Sequence, residues 1–282
     1  MPSRAAIANE TLKILERGGY ALPNDVKVDL RGAMAAAKAG TLTYRPETLP
    51  ADPFATNGAV ADIRVTRETT MEAMAGLATL PGGRIGCLNF ASAKNPGGGF
   101  LGGAQAQEES LARASGLYPC LLTQKATYDE NRANRSLLYL DRVIYSPAVP
   151  FFRDDRGVLL PEPYLADVIT CAAPNAGAIV NNEPASLALV EPTFARRAEQ
   201  VLRVAAHHEV KRIVLGAWGC GVFRNDSRMV ARAFAGLVST GGNFNHRFDE
   251  IVFAVFDSSK EGSTYRAFAD TFNPDTSGAP KT

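Results

Sequence analysis

Two adjacent carboxylates, Glu108 and Glu109, close a glycine-rich stretch and are the side chains of this sequence best placed to do chemistry. The stretch reads N-P-G-G-G-F-L-G-G-A-Q-A-Q-E-E over residues 95–109, with five glycines between positions 97 and 103. So many glycines exclude regular structure and allow backbone N–H groups to approach a ligand closely. An apolar, strand-like run precedes the stretch and a helix-like run follows it, so the two acids are predicted to lie where a helix begins.

The two carboxylates are predicted to do different jobs. Consecutive residues of a helix point about 100° apart around its axis, so Glu108 and Glu109 cannot face each other across a scissile bond as a glycosidase pair does. One is expected to protonate a leaving group while the other holds a sugar hydroxyl. A helix N-terminus lowers the pKa of a carboxyl, whereas a bound diphosphate raises it. Ordinary carboxylates in the first turn of a helix are the structural alternative.

A second glycine loop, G-C-G-V-F at residues 219–223, also follows a predicted strand directly. In an α/β sheet the ligand binds at the carboxyl ends of the strands, so both loops are expected on one rim. Together they predict a crevice for a phosphate or diphosphate.

Several other chemistries are poorly supported. Neither loop has the G-K-[ST] of a phosphate-binding Walker loop or a dinucleotide fingerprint with its acidic partner. The sequence has only three histidines, which gives weak support for a metal site and leaves no base for a Ser or Cys nucleophile. Cys220 lies in a glycine loop without an activating partner. No metal and no cofactor are therefore predicted.

Strand-like and helix-like segments alternate from residue 58 onward. Strands are predicted at 59–65, 84–90, 138–146, 168–172, 212–217 and 251–256. Helices are predicted at 69–80, around 111–118, at 191–208, after an N-cap at Asp226, and at 263–272. Residues 124–137 are predicted to be irregular, and 147–163 to be a Pro-rich, charged connection. Apolar strands that alternate with amphipathic helices predict an α/β sandwich with a parallel or mixed sheet.

Composition predicts a globular intracellular protein. Of 282 residues, 46% are apolar and 21% charged, and the net charge of +1 provides no global field to recruit nucleic acid. No signal peptide and no apolar run of about 20 residues are found. The four scattered cysteines are expected to be buried free thiols of a reducing cytoplasm. Residues 1–57 are predicted to be an extension that packs on a main domain at 58–272, with a mobile tail at 273–282.

The glycines at 97–99, followed after seven residues by Gln107-Glu108-Glu109, resemble the catalytic signature of poly(ADP-ribose) glycohydrolases. Residues 95–105 and 145–154 are similar to the compact bacterial-type members, and residues 219–225 resemble the diphosphate loop of macrodomains, the fold of those enzymes. The resemblance covers roughly residues 58–272. It implies a macrodomain-like three-layer α/β/α sandwich with a mixed central sheet, preceded by an N-terminal helical extension.

The resemblance also implies a role for each site residue. Glu109 would protonate the ribose–ribose glycosidic oxygen and then activate water, while Glu108 would bind ribose hydroxyls of the leaving unit. Phe223 would pack against the distal ribose, and Phe256 is a weaker candidate for stacking on adenine. Asn89 replaces an acidic residue of the larger animal relatives and is either a ribose contact or a loop amide. The full set of implied substrate contacts is Asn89, Asn95, Gly97, Gly98, Gly99, Gln107, Gly219, Cys220, Gly221, Val222, Phe223 and Phe256.

The leading hypothesis is exo-type hydrolysis that releases ADP-ribose, because the bacterial members that this sequence resembles act mainly from the chain end, since their ribose site is closed. Asn89 and the absence of an identifiable tyrosine-bearing clasp, both departures from the animal relatives, speak against internal cleavage. The implied partners are poly(ADP-ribose) chains, the ADP-ribose product and poly-ADP-ribosylated proteins, without direct DNA or membrane binding. A cytoplasmic location and a part in the DNA damage response are also implied. The alternative is a macrodomain that only binds ADP-ribose or acts on single units, and a third class is a nucleotide-dependent oxidoreductase. The Q-E-E element favours the hydrolase, since a pure reader needs no acid.

Overall fold

A mixed sheet of seven strands forms the centre of the structure, a computed structural model that describes residues 2–23, 25–51 and 59–273. The strands are β1 (Gly19–Ala21), β2 (Lys27–Asp29), β3 (Leu42–Tyr44), β4 (Asp62–Thr66), β5 (Arg84–Phe90), β6 (Val143–Arg153), β7 (Leu159–Cys171), β8 (Val210–Gly216) and β9 (Glu250–Ala254). The order in the sheet is β3-β6-β7-β5-β8-β9-β4, and β1 pairs with β2 separately. The pairs from β7 to β4 are parallel, and those of β6 with β3 and β7 are antiparallel.

Helices cover both faces of this sheet. They are α1 (Arg4–Arg17), α2 (Arg31–Gly40), α3 (Thr70–Ala78), α4 (Gln107–Ala114), α5 (Leu117–Leu122), α6 (Lys125–Ala133), α7 (Ala176–Asn182), α8 (Val190–His207), α9 (Ser227–Val238) and α10 (Ser263–Phe272). Successive side chains of a strand point to opposite faces. Accordingly, Leu88 belongs to the same apolar cluster as Phe194 of α8 and Phe234 of α9, whereas Cys87 belongs to the cluster that contains Met74 of α3. The predicted α/β/α sandwich with a mixed sheet is confirmed.

The N-terminal residues contact the main sheet and the first glycine loop. β3 extends the sheet by pairing Thr43 with Ile144 of β6. α1 packs over the short 3-10 turn Phe100–Gly102, where Ala8, Phe100 and Ala112 form a small apolar cluster. Residues 52–58, with part of the predicted connector, and the predicted tail beyond residue 273 lie outside the described residues. None of the described helices combines the length and the apolar character that crossing a membrane requires.

Two predictions of irregular structure were wrong. Residues 124–137 contain the helix α6, because its Tyr128 is buried in the core and its Asn131 side chain accepts a hydrogen bond from the Leu140 amide at 2.9 Å. Such tertiary contacts override a weak helical pattern. The segment 147–163 belongs mostly to the long antiparallel ribbon of β6 and β7. A register shift between Ser146 and Val149 lets the strand accommodate a proline, which normally disrupts pairing.

Candidate active site

Both glycine loops leave the sheet at the same rim. β5 and β8 are adjacent and parallel, with Cys87 opposite Val214, so their carboxyl ends point in the same direction. The first loop follows Phe90, and the second follows Gly216. The two loops therefore form the two walls of the crevice predicted from the sequence, at the carboxyl ends of adjacent parallel strands.

Gln107 fastens the start of α4 to the end of β5. Its Oε1 accepts a hydrogen bond from the Phe90 amide at 2.9 Å. Its Nε2 donates to the Leu88 carbonyl at 2.7 Å and to the Thr70 hydroxyl at 3.2 Å. These three bonds fix the register between the strand and the first turn of the helix, and so they fix the position of the two acids that follow.

Glu108 is a buried acid, with only 3% of its surface exposed. Its Oε2 accepts a hydrogen bond from the Ser92 amide at 2.6 Å, and its Oε1 accepts one from Asn89 Nδ2 at 3.3 Å. Burial raises the pKa of Glu108 to about 8, with a smaller contribution from the charge of Glu109, although the hydrogen bonds act in the opposite direction. Glu108 therefore holds a proton near neutral pH unless a ligand changes its surroundings.

Glu109 is half-buried and lies against the glycine loop. Its Oε1 accepts a hydrogen bond from the Gly99 amide at 3.0 Å. A Cβ atom at Gly98 would lie 2.2 Å from that oxygen and 3.2 Å from Oε2 of Glu108, and Gly98 has a φ of +58°. Only glycine fits this backbone and this space. The two carboxylates thus reach the same glycine from neighbouring positions of the helix.

Asn89 lies beneath the two acids. Its side chain is fully buried, and its Nδ2 donates to Glu108 and, at 3.2 Å, to the Thr170 hydroxyl on the adjacent strand β7. The contact with Glu108 places the Asn89 amide directly against one of the two predicted acids. Asn95, the other predicted amide, lies at the exposed start of the loop, where its carbonyl accepts from the Gly98 amide at 3.0 Å.

Asn225 folds the second loop back on itself. This buried side chain donates through Nδ2 to the Pro174 carbonyl at 2.9 Å and to the Gly219 carbonyl at 3.1 Å. Gly219 has a φ of +74°, and a Cβ there would lie 2.5 Å from Asn225 Nδ2 and 2.7 Å from the Ala173 Cβ. A glycine is required at position 219 because of both the backbone conformation and the contact.

The tip of the second loop offers backbone donors to solvent. The N–H groups of Gly221, Val222 and Phe223 make no hydrogen bond to another described residue. Val222 is 82% exposed, and no atom lies within 4 Å of a Cβ built on Gly221. Successive unpaired amides in a turn form a concave anion site, so this tip is suited to a diphosphate.

Aromatic side chains lie near the second loop and beyond the last strand. The Phe223 ring is 6.0 Å from the Tyr139 ring, centroid to centroid. Phe256 follows β9 and is 68% exposed, so its face is free for a planar ligand. Cys220 is half-buried, and burial, with a smaller effect of Asp226, raises its pKa to about 12. A thiol that stays protonated is a poor nucleophile.

Several residues that shape the site were not singled out by the sequence. Ser92 acts through its backbone amide, which no side-chain pattern reveals. Tyr139 adopts a φ of +62° in a segment without a motif. Asn225 does belong to the second-loop segment at residues 219–225. Its position after a glycine loop and directly before the helix N-cap Asp226 is typical of an amide that closes a loop. In the described part of the chain, no cluster of three or more His, Cys, Asp or Glu side chains could hold a metal ion.

The fold and the rim define a class of protein: an α/β/α sandwich of macrodomain type with two glycine loops and paired acids at one edge. Residues 8–154 match the family described as microbial-type PARG, catalytic domain. The chain therefore belongs to the microbial-type poly(ADP-ribose) glycohydrolases. The predicted enzyme class, a glycoside hydrolase acting on poly(ADP-ribose), is confirmed with it.

Solved structures of bacterial enzymes give the same result. The poly(ADP-ribose) glycohydrolase of Thermomonospora curvata is 46% identical, with a TM-score of 0.89 over 95% of this chain and 99% of that one. The same enzyme bound to the inhibitor ADP-HPD is 47% identical, with a TM-score of 0.88 and the same coverage. The enzyme of Deinococcus radiodurans in complex with ADP-ribose is 46% identical, with a TM-score of 0.80 over 88% of this chain and 99% of that one. A search of curated proteins gives no match.

Proposed function

We propose that this enzyme acts at the ends of poly(ADP-ribose), cleaves ribose–ribose O-glycosidic bonds and releases ADP-ribose, with Glu109 as general acid and base. The observation that carries the proposal is the unequal setting of the two acids. Glu108 is buried and bonded to Ser92 and Asn89, while Glu109 is half-buried and held by a single amide, that of Gly99. Glu109 is therefore the more open of the two acids to a substrate that enters the crevice.

The chemistry assigned to Glu109 needs one proton and one water. Its carboxyl proton moves to the glycosidic oxygen as the C–O bond breaks, and the ribose becomes oxocarbenium-like. The resulting carboxylate then takes a proton from water, whose oxygen bonds to the ribose carbon. Glu109 ends in its starting protonation state.

Glu108 is proposed to hold the ribose and not to cycle. Because its pKa is raised to about 8 by burial, it carries an O–H near neutral pH that can be donated to a ribose hydroxyl. Asn89 is proposed to act through Glu108, since its amide donates to that carboxyl from a fully buried position. This arrangement supports the division of labour predicted from the sequence.

The diphosphate is proposed to lie between the loops. Residues 97–99 would wrap it and the distal ribose from one side, and the free amides of Gly221, Val222 and Phe223 would bind it from the other. The Phe223 ring would pack on the distal ribose, and the exposed Phe256 ring would stack on adenine. Gln107, Gly219 and Cys220 would complete the walls. The ADP-ribose complex of the Deinococcus enzyme supports a site of this kind.

Glu109→Gln tests the catalytic assignment. The amide keeps the size and the contact with Gly99 but has no proton to transfer. Turnover should fall at least about a thousandfold, while ADP-ribose binding by calorimetry should stay within about threefold of wild type. Glu108→Gln is the matched comparison. Because Glu108 is proposed to hold the ribose from its buried position, this variant should raise KM in addition to lowering turnover. Loss of ADP-ribose binding in Glu109→Gln, or turnover by that variant, would contradict the assignment.

The end-acting mode has its own measurement. Chain-length analysis of a time course on long polymer should give ADP-ribose as the released product from the first time point. Early release of oligomers would mean internal cleavage.

Poly-ADP-ribosylated proteins are proposed as the physiological carriers of the polymer. The cytoplasm is proposed as the place of action, which the four free cysteines support. A part in the DNA damage response stays a prediction.

We also propose the division of the chain given by its sequence, with residues 1–57 as an extension on a catalytic domain at 58–272. The pairing of β3 with β6 and the contact of α1 with the 3-10 turn of the first loop support an extension that is packed on the domain. Deletion of residues 1–45 should therefore lower both the melting temperature and kcat, and an unchanged melting temperature would contradict close packing.

A further inference from the structure

A cavity of about 630 Å³ lies beside the first glycine loop. It is lined by the start of α1, by Gly102 and Gly103, by one side of α4 and by the end of β6 with the turn that follows it. We propose that this cavity is a second anion subsite, in which Arg4 and Arg113 hold the diphosphate of the ADP-ribose unit on the leaving side of the bond that Glu109 cleaves. The inference rests on the proposed function and adds to it how the enzyme recognises the leaving unit.

Arg113 is a buried cation without a buried anion. Only 7% of its surface is exposed. It donates to the Ala104 carbonyl at 2.6 Å, to the Gln105 side chain and to the Ser110 hydroxyl at 3.4 Å. All three acceptors are neutral, and no carboxylate among the described residues lies within ion-pair distance. A buried charge is costly unless it is paired, so an anion in the cavity would complete its environment.

Arg4 is the second cation and is fixed against the catalytic loop. Its Cβ lies 3.6 Å from the point where a side chain on Gly103 would begin, and the Ala5 amide nitrogen is 3.2 Å from that point. The Arg4 side chain is exposed and makes no hydrogen bond or ion pair with a described residue. Burial, and then the charge of Arg4, lowers the pKa of Arg113, although the charge of Glu109 acts in the opposite direction. Arg4 and Arg113 line the same cavity, and two cations at one cavity attract an anion.

The acidic residues of the cavity have their own partners. Asp154 pairs with Arg156 at 3.1 Å, and Asp155 accepts a hydrogen bond from the Thr69 hydroxyl at 2.6 Å. Arg153, also in the lining, pairs at 2.9 Å with a glutamate of α1. Asp154 and Arg153 thus have ionic partners, which leaves Arg4, Arg113 and Asp155 as the unpaired charges of the lining, with a net charge of +1 that a diphosphate would neutralise.

The cavity lies beside the helix that carries Glu109, since Ser110 and Arg113 of α4 line it. Glu109 and Arg113 are four residues apart on α4, so they lie one turn apart on the same side of the helix. In poly(ADP-ribose), the bond joins the ribose of one unit to the adenosine ribose of the next, and the next diphosphate begins at the far side of that ribose ring. A leaving unit whose linking oxygen contacts Glu109 therefore places its diphosphate near the two arginines.

The test compares two substrates that differ only on the leaving side. One is poly(ADP-ribose), and the other is ADP-ribose joined through its ribose to an uncharged phenol, which offers no leaving-side diphosphate. In Arg4→Gln, the ratio of kcat/KM for polymer to kcat/KM for the phenol substrate should fall about tenfold, as for one lost charged hydrogen bond. The salt dependence of the polymer reaction should weaken by about one unit of log–log slope. Arg17→Gln, an exposed arginine at the other end of α1, should leave the ratio unchanged.

Each outcome has one meaning. An Arg4→Gln ratio equal to that of wild type overturns the subsite. An equal loss on both substrates, at an unchanged melting temperature, also overturns it, because Arg4 would then only shape the catalytic loop. Charge reversal in Arg4→Glu should lower the ratio further, and a ratio like that of wild type would again contradict the proposal. Failure of the wild type to cleave either substrate would instead refute the proposed function.

Discussion

Gly98 and the Glu109 carboxylate are in direct contact, since a methyl group on Gly98 would lie 2.2 Å from Oε1 of Glu109. Gly98→Ala must therefore displace the carboxylate that is proposed to be the general acid. A shift of about 1 Å at a reacting group costs on the order of a hundredfold in rate, and kcat on polymer should fall by at least that factor. The φ of +58° adds a strain of about 1–2 kcal/mol, which should appear as a lower melting temperature.

Gly102→Ala is the control for this prediction. No atom lies within 4 Å of a Cβ built on Gly102, and its φ is not in the left-handed region. The variant should keep kcat on the phenol substrate, which does not occupy the leaving-side cavity that Gly102 lines, within about twofold of wild type, because a methyl group there does not displace Glu109. If Gly98→Ala and Gly102→Ala were equally active, the close approach of the loop to Glu109 would not be needed for catalysis.

Glu108 should make the stability of the enzyme depend on pH. Its folded pKa is about 8, above the ordinary 4.5. Below pH 4.5 both folded and unfolded chains carry this proton, and the group imposes no penalty. As the pH rises from 4.5 to 8, the unfolded chain loses the proton before the folded one, so this group lowers the free energy of unfolding by up to about 1.4 kcal/mol per pH unit. Above pH 8 the penalty is constant.

Glu108→Gln removes this pH dependence. The loss of an acceptor for Ser92 or Asn89 changes the absolute stability of the variant at every pH. The difference in the free energy of unfolding between variant and wild type should nevertheless move in favour of the variant between pH 5 and 8. Urea unfolding at several pH values measures it. Parallel pH profiles for the two proteins would show that Glu108 is ionised in the folded enzyme.

The sequence predicts the main architecture and the catalytic loop because both depend on local patterns. Apolar strands such as 84–90 and the helix at 191–208 are visible as hydrophobic runs and stripes, and the acids follow the glycines directly. The α6 helix is not predictable in this way, because its polar sequence is helical only through the burial of Tyr128 and Asn131. The β6–β7 ribbon is missed for a similar reason, since its prolines mask the strand pattern and Pro147 is accommodated only by the register shift between Ser146 and Val149.

Within the site, residue types were predictable but their surroundings were not. Two adjacent glutamates at the start of a helix carry no local signal of which one is buried. That difference comes from the Ser92 amide and from Asn89 on the strand below, which reach Glu108 and not Glu109. Arg4 and Arg113 are 109 positions apart in the chain, and their closeness likewise depends on how α1 packs over the first loop.

Asn225→Ala should loosen the second loop and weaken binding. The side chain satisfies the Pro174 and Gly219 carbonyls in a buried position, and its removal leaves both without that donor. The free energy of unfolding should fall by about 1–3 kcal/mol, and the Kd for ADP-ribose should rise about tenfold by calorimetry. Asn181→Ala removes a similar bond, to the Gly177 carbonyl at 3.2 Å, from an exposed surface and should change neither quantity appreciably. Equal effects of the two variants would exclude a special role for Asn225.

Cys220 should be unreactive despite its place in a glycine loop. Its pKa is raised to about 12, mainly by burial, so the thiolate fraction at pH 8 is far below that of an ordinary cysteine. Alkylation by iodoacetamide at pH 8 should be at least about a hundredfold slower at Cys220 than at the same residue in the urea-unfolded chain, as followed by peptide mass spectrometry. Rapid labelling of the folded enzyme would show that the thiol is activated.

Arg197 should contribute far more to stability than its neighbour Arg196, although both bind the Asp141 carboxylate. Arg197 is 1% exposed and also donates to the Ala172 and Tyr139 carbonyls at 2.9 Å. Arg197→Met leaves these two carbonyls without that donor, while Asp141 keeps Arg196 as its ionic partner, so the free energy of unfolding should fall by about 2–5 kcal/mol. Arg196 forms its contact with 48% of its side chain exposed, and Arg196→Met should cost at most about 1 kcal/mol.

Urea unfolding of the two methionine variants measures this difference directly, because each substitution removes one guanidinium and keeps the apolar stem. Arg197→Met should also weaken ADP-ribose binding, since the segment held by Arg197 carries Tyr139, whose ring contacts Phe223 of the second loop. Arg196→Met should leave binding unchanged. Equal losses of stability in the two variants would show that the buried carbonyl contacts of Arg197 contribute nothing beyond its ion pair. Equal ADP-ribose binding by the two variants would contradict the link from α8 to the second loop.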